Sequence, residues 1–475
     1  MKACLKALTV KHIEAFFEGK AYPALVCAMA LLGYFTGLEL YFHIIGMAML
    51  GVALSVSRSV RPLIAPLCSF ILQISIEHTP ALQNSGGVPS SYYFEGARGA
   101  AFVLSFVPVL FGLILCFIGN SIITRENLRS LPLALPSVLL CAAFLLGGAF
   151  SGVYEIANLG YSLVQIVVWF VIFYVFYLGL KRERADEILD YFIYVSSLVA
   201  LVIIVQTLEI YCAGRAYIPG SGEINRSALV YGWGNCCTAA EALMVLVPIL
   251  LLGASRSRYH SWYFAVTHLA LFSSILNVTR GVALVGIPIY AVSIVVCIIC
   301  SKNKLRWLVS LVAVAVAFGA FAYVQWEYIW PPINNYIQRG FGDSGRIGIW
   351  NFGIDAFFKY PIFGMGFYGL SAATPGASSQ IAFIPMMMHN TPIQMLACFG
   401  IVGAAAYSLY RIKSAMPFVL RPSFKKTMLG AAMLVLLLSS LLDNFVFYIS
   451  PMFPYAIILA IVYKIYDEEK EEKCK

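Results

Sequence analysis

Apolar runs of about 18 or more residues recur from one end of the chain to the other, the length that carries an α-helix across a bilayer. Read this way, the sequence predicts about fourteen transmembrane helices. They lie near residues 21–37, 40–56, 62–78, 99–119, 133–150, 159–180, 188–210, 236–254, 262–279, 281–300, 306–325, 390–410, 427–443 and 447–464. The third is the least regular, since Pro62 and Pro66 open it and Gln73 lies inside it. Lysines precede the first, but no small-residue cleavage site follows it, so it is expected to be retained. In lipid each helix must satisfy its own backbone hydrogen bonds. The expected fold is therefore an all-α polytopic membrane protein, with residues 1–475 forming a single integral membrane domain.

Composition agrees with the pattern. Of the 475 residues, 61% are hydrophobic and 12% charged, against roughly 45–50% and 25% in ordinary globular domains. The net charge of +9 would suit nucleic acid, yet the basic residues form no stripe. Topological bias explains them better, because cytoplasmic loops of membrane proteins are enriched in Lys and Arg. With the N-terminus inside, 25 of the 32 basic residues fall on the inner side, including Arg58, Arg125, Lys181, Arg256, Lys302, Arg411 and the C-terminal lysines. Removing one span would invert every later loop and destroy the pattern. The expected location is a bacterial cytoplasmic membrane, with both termini cytoplasmic.

Seven basic residues remain on the outer side: Arg98, Arg215, Arg226, Arg280, Arg339, Arg346 and Lys359. Six are arginine, whose planar and permanently charged fork suits phosphate and carboxylate oxygens. Arg280 stands in Asn277-Val-Thr-Arg-Gly281, midway through about forty apolar residues. Two spans must meet there, placing an ionisable group at or just below the outer surface. Such a residue is a functional candidate, although a snorkelling arginine would look the same. Arg226 just precedes a span, and Arg215 shares its short outer loop. His389, followed by Asn390, opens the twelfth span; a histidine there can exchange a proton near neutral pH or serve only as a structural hydrogen-bonding residue.

The largest outer feature is the stretch 326–389, too long for a simple connection. It carries Trp326, Trp330 and Trp350 and a periodic apolar segment, Ile347 to Phe358, that predicts an amphipathic helix ended by Tyr360-Pro361. That helix could lie in the membrane interface, cover an active site, or do both. Gly364-Met-Gly366-Phe-Tyr-Gly369 fits the dinucleotide fingerprint to the letter. It follows no β-α-β pattern, so a tight turn is the better reading. Cys297-x-x-Cys300 lies within a span with no second pair or nearby histidine, which argues for buried packing rather than metal or redox chemistry.

Several of these residues also carry a resemblance. Arg346-Ile-Gly-Ile-Trp350, Tyr360-Pro-Ile-Phe-Gly-Met-Gly366, His389-Asn390 and Gly400-Ile-Val-Gly403 together resemble the core signature of the O-antigen ligase and O-antigen polymerase superfamily. Thr279-Arg-Gly281 is similar to the arginine motif between two spans of that family. Arg226, followed by Gly232 to Asn235 and Pro248, is similar to its first outer loop. The resemblance covers roughly residues 205–450. Gly234-Asn235-Cys236-Cys237 departs from it where many members have an asparagine-rich turn.

The resemblance implies a GT-C-like membrane glycosyltransferase that needs neither a metal nor another cofactor. Its donor would be a glycan on undecaprenyl diphosphate at the outer side of the membrane. Its acceptor would be a sugar hydroxyl of a second glycan, lipid-linked or on lipid A core. Fixed cations stabilise a diphosphate leaving group as it gains charge. Arg226 and Arg280 are the expected clamp, assisted by Arg215 or Arg346, and His389 would deprotonate or orient the acceptor hydroxyl. Polymerase is expected slightly ahead of ligase. The rival from another class is a lipid-linked oligosaccharide flippase or other transporter, but the halves show no internal repeat of the kind many transporters carry.

Overall fold

The computed structural model describes residues 12–73, 96–152, 154, 156–218, 220, 221, 223–229, 236–340, 345–372 and 387–474. Among them the regular elements are helices, with one isolated bridge between Tyr217 and Ile224. Each of the fourteen predicted segments holds a helix among its described residues, and residues 74–78 of the third lie outside them. Among the described residues nine helices are long and apolar enough to cross a membrane, or ten if His12–Glu18 and Ala21–Thr36, bent by 62°, form one span. The protein is an all-α polytopic membrane protein.

The chain divides into two compact units. The first comprises the described residues of Met1–Thr124, Leu178–Gly340 and Met428–Val435. It contains α1 (Ala21–Thr36), α2 (Glu39–Val56), α3 (Ile64–Gln73), α4 (Gly96–Gly119), α7 (Ala185–Cys212), α8 (Cys236–Arg256), α9 (His260–Leu276), α10 (Arg280–Cys300), α11 (Lys304–Val324) and α12 (Trp326–Arg339). The second comprises the described residues of Arg125–Tyr177, Phe341–Thr427 and Leu436–Lys475. It holds α5 (Ala134–Leu146), most of α6 (Ile156–Gly179), α13 (Arg346–Lys359), α14 (Gly366–Ala372), α15 (Thr391–Leu420) and α17 (Ile449–Cys474). Helix α16 (Phe424–Ser439) is shared between the two divisions of the chain.

In the first unit the sequence grades the helices from centre to rim. The apolar window of α8 is 89% buried and that of α11 only 6%, so α8 is the central strut, packed against α7, α9 and α10. Helices α2 and α4 cross where Gly51 meets the backbone of Pro108 and Gly112 meets that of Gly51. Small residues permit this close approach, which is how helices associate when lipid gives no hydrophobic drive.

The second unit is built on a crossing of two backbones. Met365 N–H donates to Ala397 O (2.9 Å), Ile401 N–H to Pro361 O (2.8 Å), and Gly148 N–H to Phe363 O (3.1 Å). Gly364 (φ 63°) lies against the Cys398–Phe399 peptide, and Gly400 (φ 61°) against the carbonyls of Pro361 and Ile362. A side chain at either position would meet backbone, and left-handed φ strains any residue with a Cβ. These contacts account for Gly364 and Gly400 without any nucleotide. Gly400 breaks α15, and the helix then continues to Leu420.

The sequence placed Arg411 in an inner loop; the structure puts it inside α15, which runs ten residues past the predicted end of the span to Leu420. Four rings make this possible. The Arg411 guanidinium lies 4.7 Å from the centroid of Trp169, 4.9 Å from Tyr407, 5.0 Å from Tyr455 and 5.7 Å from Tyr410. It also donates to Tyr455 Oη at 2.6 Å. Each such cation–π contact contributes about 0.5–2 kcal/mol when desolvated.

The crossing predicts a contrast between two glycines. Gly400→Ala should lower both folded yield and Tm in detergent. Gly348→Ala, in the body of α13 with open space around it, should leave Tm unchanged or raise it, by about 0.5–1 kcal/mol of helix propensity. Thermal unfolding of the two purified variants checks this, and equal Tm values would count against the crossing.

Candidate functional site

In the first unit, loop 213–229 carries Arg215 and Arg226. Asn225 N–H donates to Ala216 O (2.8 Å) and Ile218 N–H to Glu223 O (2.7 Å), folding the loop back on itself. Arg215 forms an ion pair with Glu209 and donates to Tyr34 Oη at 3.4 Å. Tyr34 also donates to Glu209 at 2.8 Å, so Arg215 ties the loop to α1 and α7. Arg226 opens a short turn, Arg226–Ala228, and faces different partners. Its Nη2 lies 3.4 Å from Cys236 Sγ and 3.5 Å from Cys237 Sγ, and its buried Nε has no hydrogen-bond partner among the described residues.

Arg280 is the first residue of α10, following a tight turn out of α9. Asn277 fixes that turn, its Nδ2 donating to Ser273 O at 2.8 Å, while Val278 N–H donates to Ile275 O at 3.0 Å. Val278 is fully buried with φ 52°. A β-branched residue in this region is a genuine outlier, and such strain persists only where its surroundings over-determine it. Thr279, the residue beside Arg280, donates from Oγ1 to Asn277 O at 3.2 Å. Arg280 itself donates to Gly340 O.

Helix α12 closes over this group within the same unit. Tyr336 Oη donates to Ile275 O (3.1 Å) and Tyr217 Oη to Tyr328 O (3.1 Å). Burial pushes the Tyr336 phenol well above its usual pKa, against the opposing pull of the Thr279 backbone and Arg226. It therefore stays protonated, and a donor, at any physiological pH.

In the second unit, His389 precedes α15 in a left-handed conformation, φ 49°. Its Nδ1 lies 2.9 Å from Asp443 Oδ1. A carboxylate only accepts, so the pair fixes the proton on Nδ1 and leaves Nε2 as the basic nitrogen. Asp443 is itself held, accepting from Asn444 N–H at 2.7 Å. The surrounding backbone is cross-linked. Asn390 caps α15 by accepting from Ile393 N–H (3.0 Å) and donates to Leu441 O (3.0 Å); Thr391 N–H donates to Ser440 O (2.9 Å). Gln394 Oε1 accepts from both Met388 N–H (2.6 Å) and Asn444 Nδ2 (2.8 Å). Arg346 is the first residue of α13, whose inward side is small: Gly353 packs on Met388 and Ile393. The apolar residues Ile347, Ile354 and Phe358 face outward.

Two groups thus emerge, each within one unit: Arg226, Arg280, Thr279 and Tyr336 in the first, His389 with Asp443 in the second. Asp443 and Asn444 are absent from the sequence reading. The signal was a polar pair, Asp443-Asn444, between two apolar spans, but its partner lies 54 positions away.

If Asn390 holds the start of α15 as described, Asn390→Ala should cost about 0.5–2 kcal/mol, the usual cost of losing a helix cap. The Ile393 amide should then exchange faster with solvent. Unchanged exchange would contradict the cap.

No curated protein matches the chain. Residues 265–408 match the family model described as O-antigen ligase, a stretch containing Arg280, Arg346 and His389. That stretch is therefore similar to the O-antigen ligase family.

Proposed function

We propose that the protein is a GT-C-type membrane glycosyltransferase working at the outer side of the cytoplasmic membrane, with both termini cytoplasmic. Its donor is a glycan on undecaprenyl diphosphate and its acceptor a sugar hydroxyl of a second glycan. The observation that carries the reading most is the His389–Asp443 pair, a histidine whose free nitrogen is set for proton transfer. His389 Nε2 takes the proton from the acceptor hydroxyl as that oxygen attacks the anomeric carbon of the donor. Asp443 orients the ring and stabilises its charge. The glycosidic bond breaks toward the lipid diphosphate, which leaves with the bonding electrons.

Arg226 and Arg280 are proposed to meet that growing negative charge. Arg226 supports the role because its contacts among the described residues are thiols rather than carboxylates. Arg280 and Arg346 each begin a helix. A cation there is repelled by the positive end of the helix dipole, and a bound anion offsets that repulsion. Arg346 assists, and Arg215 acts through the loop it fastens to Glu209. Transfer to a growing chain of repeat units is the preferred form, with transfer to lipid A core second.

Purified protein given only the lipid-linked repeat should yield a ladder of lengths. Product that appears only when a second acceptor is added would mean a ligase instead. His389→Ala should lower turnover by about 10²–10⁴, the usual contribution of a positioned acid or base. Asp443→Asn should lower it less, and Arg280→Ala should abolish it in folded protein. Full turnover in both His389→Ala and Arg280→Ala would rule the site out.

A further inference from the structure

We propose that Arg421 and Ser423, in the short loop joining α15 to α16, form a binding site for the phosphate of an anionic phospholipid headgroup. The site lies in the second unit, at the far end of α15 from His389, and does not rest on the glycosyl-transfer reading. Its place along the helices puts it at a bilayer surface. Helix α15 is long and apolar enough to cross the membrane and ends at Leu420. Helix α17 is also long enough to cross, and it turns from apolar to charged after Tyr463, through Lys464 and then Asp467 to Glu469. Tyr466 stands at that change, and tyrosine favours the headgroup level. The Arg421 guanidinium lies 5.4 Å from the centroid of the Tyr466 ring, so the loop meets α17 at the depth where phosphates lie.

The charges here are unevenly matched. Lys426, whose side chain is fully buried, pairs with Glu469 at 2.7 Å and stands 5.8 Å from the centroid of the same Tyr466 ring. Lys464 holds Glu468 at 3.4 Å, and Tyr177 Oη donates to Asp467 at 3.0 Å. Three acids of α17 are thus engaged, and among the described residues Arg421 has an aromatic face beside it rather than a carboxylate. Its Nη1 is buried with no hydrogen-bond partner among the described residues, and so is Ser423 Oγ. Ser423 directly precedes α16, yet its side chain does not cap that helix. Buried polar atoms without partners are costly, and here two stand within three residues.

A phosphate satisfies both. The tyrosine ring holds one face of the planar guanidinium by a cation–π contact. The N–H groups at its edge then donate in plane to phosphate oxygens, a geometry that lysine cannot reproduce. Ser423 Oγ adds a neutral donor, and the positive end of the α16 dipole favours negative charge at the same place. Both residues are half-buried, with Pro422 exposed between them, so a headgroup can reach them. The surface beside the site selects a lipid over a soluble anion. Ile412, Met416 and Val419 are exposed and recur on one face of α15 leading to Arg421, where acyl chains would lie. Basic pockets between helices at a membrane surface recognise anionic headgroups in this way.

The test titrates full-length protein in detergent with dioleoylphosphatidylglycerol and counts bound lipid by native mass spectrometry. Affinity should fall about tenfold in Arg421→Gln, the loss of a charge-assisted hydrogen bond, and about threefold in Ser423→Ala. Ser423→Ala, the milder change, decides the matter if Arg421→Gln does not fold. Wild-type affinity in every folded variant would overturn the site. Lys413→Gln removes the same charge from an exposed position on α15 and should leave affinity unchanged. A loss equal to that of Arg421→Gln would mean general surface attraction and would also overturn the site. Dioleoylphosphatidylcholine, which has no net charge, should compete poorly, and equal binding of the two lipids would overturn headgroup recognition. Inorganic phosphate should displace the lipid only weakly; displacement at equal concentration would assign the site to a soluble anion and overturn the lipid.

Discussion

A permanent charge placed among apolar helices loses its hydration, and the protein must replace what water supplied. How each cation here is met sorts structural groups from candidate functional ones. Arg61 pairs with Glu183, Arg256 with Asp186 and Asp190, and Arg215 with Glu209. Lys426, fully buried, pairs with Glu469 at 2.7 Å. Arg411 is met by aromatic faces instead. Arg226 differs from all of these: among the described residues its hydrogen-bond partners are two cysteine sulfurs and no carboxylate.

Backbone strain marks both candidate groups. Val278 and His389 are two of the five non-glycine residues with positive φ among the described residues, and each lies at a motif position. Holding a residue there costs of order 1–3 kcal/mol, so the neighbouring structure must enforce it. Around His389 the enforcement is visible in Asn390, Gln394 and the crossing at Gly364 and Gly400. Gly364, which opens the apparent nucleotide fingerprint, serves to let two backbones touch.

Much of the fold was legible in the sequence because helices in lipid announce themselves by length and apolarity. Each of the fourteen segments holds a helix among its described residues, and α13 begins and ends within a residue of the predicted Ile347–Phe358 segment. Less legible was whatever depends on distant partners. Hydropathy ended the twelfth span at 410 because it scores Arg411 as charged, without knowing that Trp169 and Tyr455 would enclose it. The outer arginines read alike in sequence, yet Glu209 claims Arg215 and leaves Arg226 to thiols. Asp443 could be recognised only once the fold had brought it to His389.

The central claim is that Arg226 and Arg280 receive a lipid diphosphate, and binding tests it without depending on turnover. The affinity of undecaprenyl diphosphate for purified protein in nanodiscs should fall at least tenfold in Arg226→Gln, about 1.4 kcal/mol. It should be unchanged in Arg256→Gln, which removes a cation already paired with two aspartates. Equal affinities in wild type and Arg226→Gln would contradict the account.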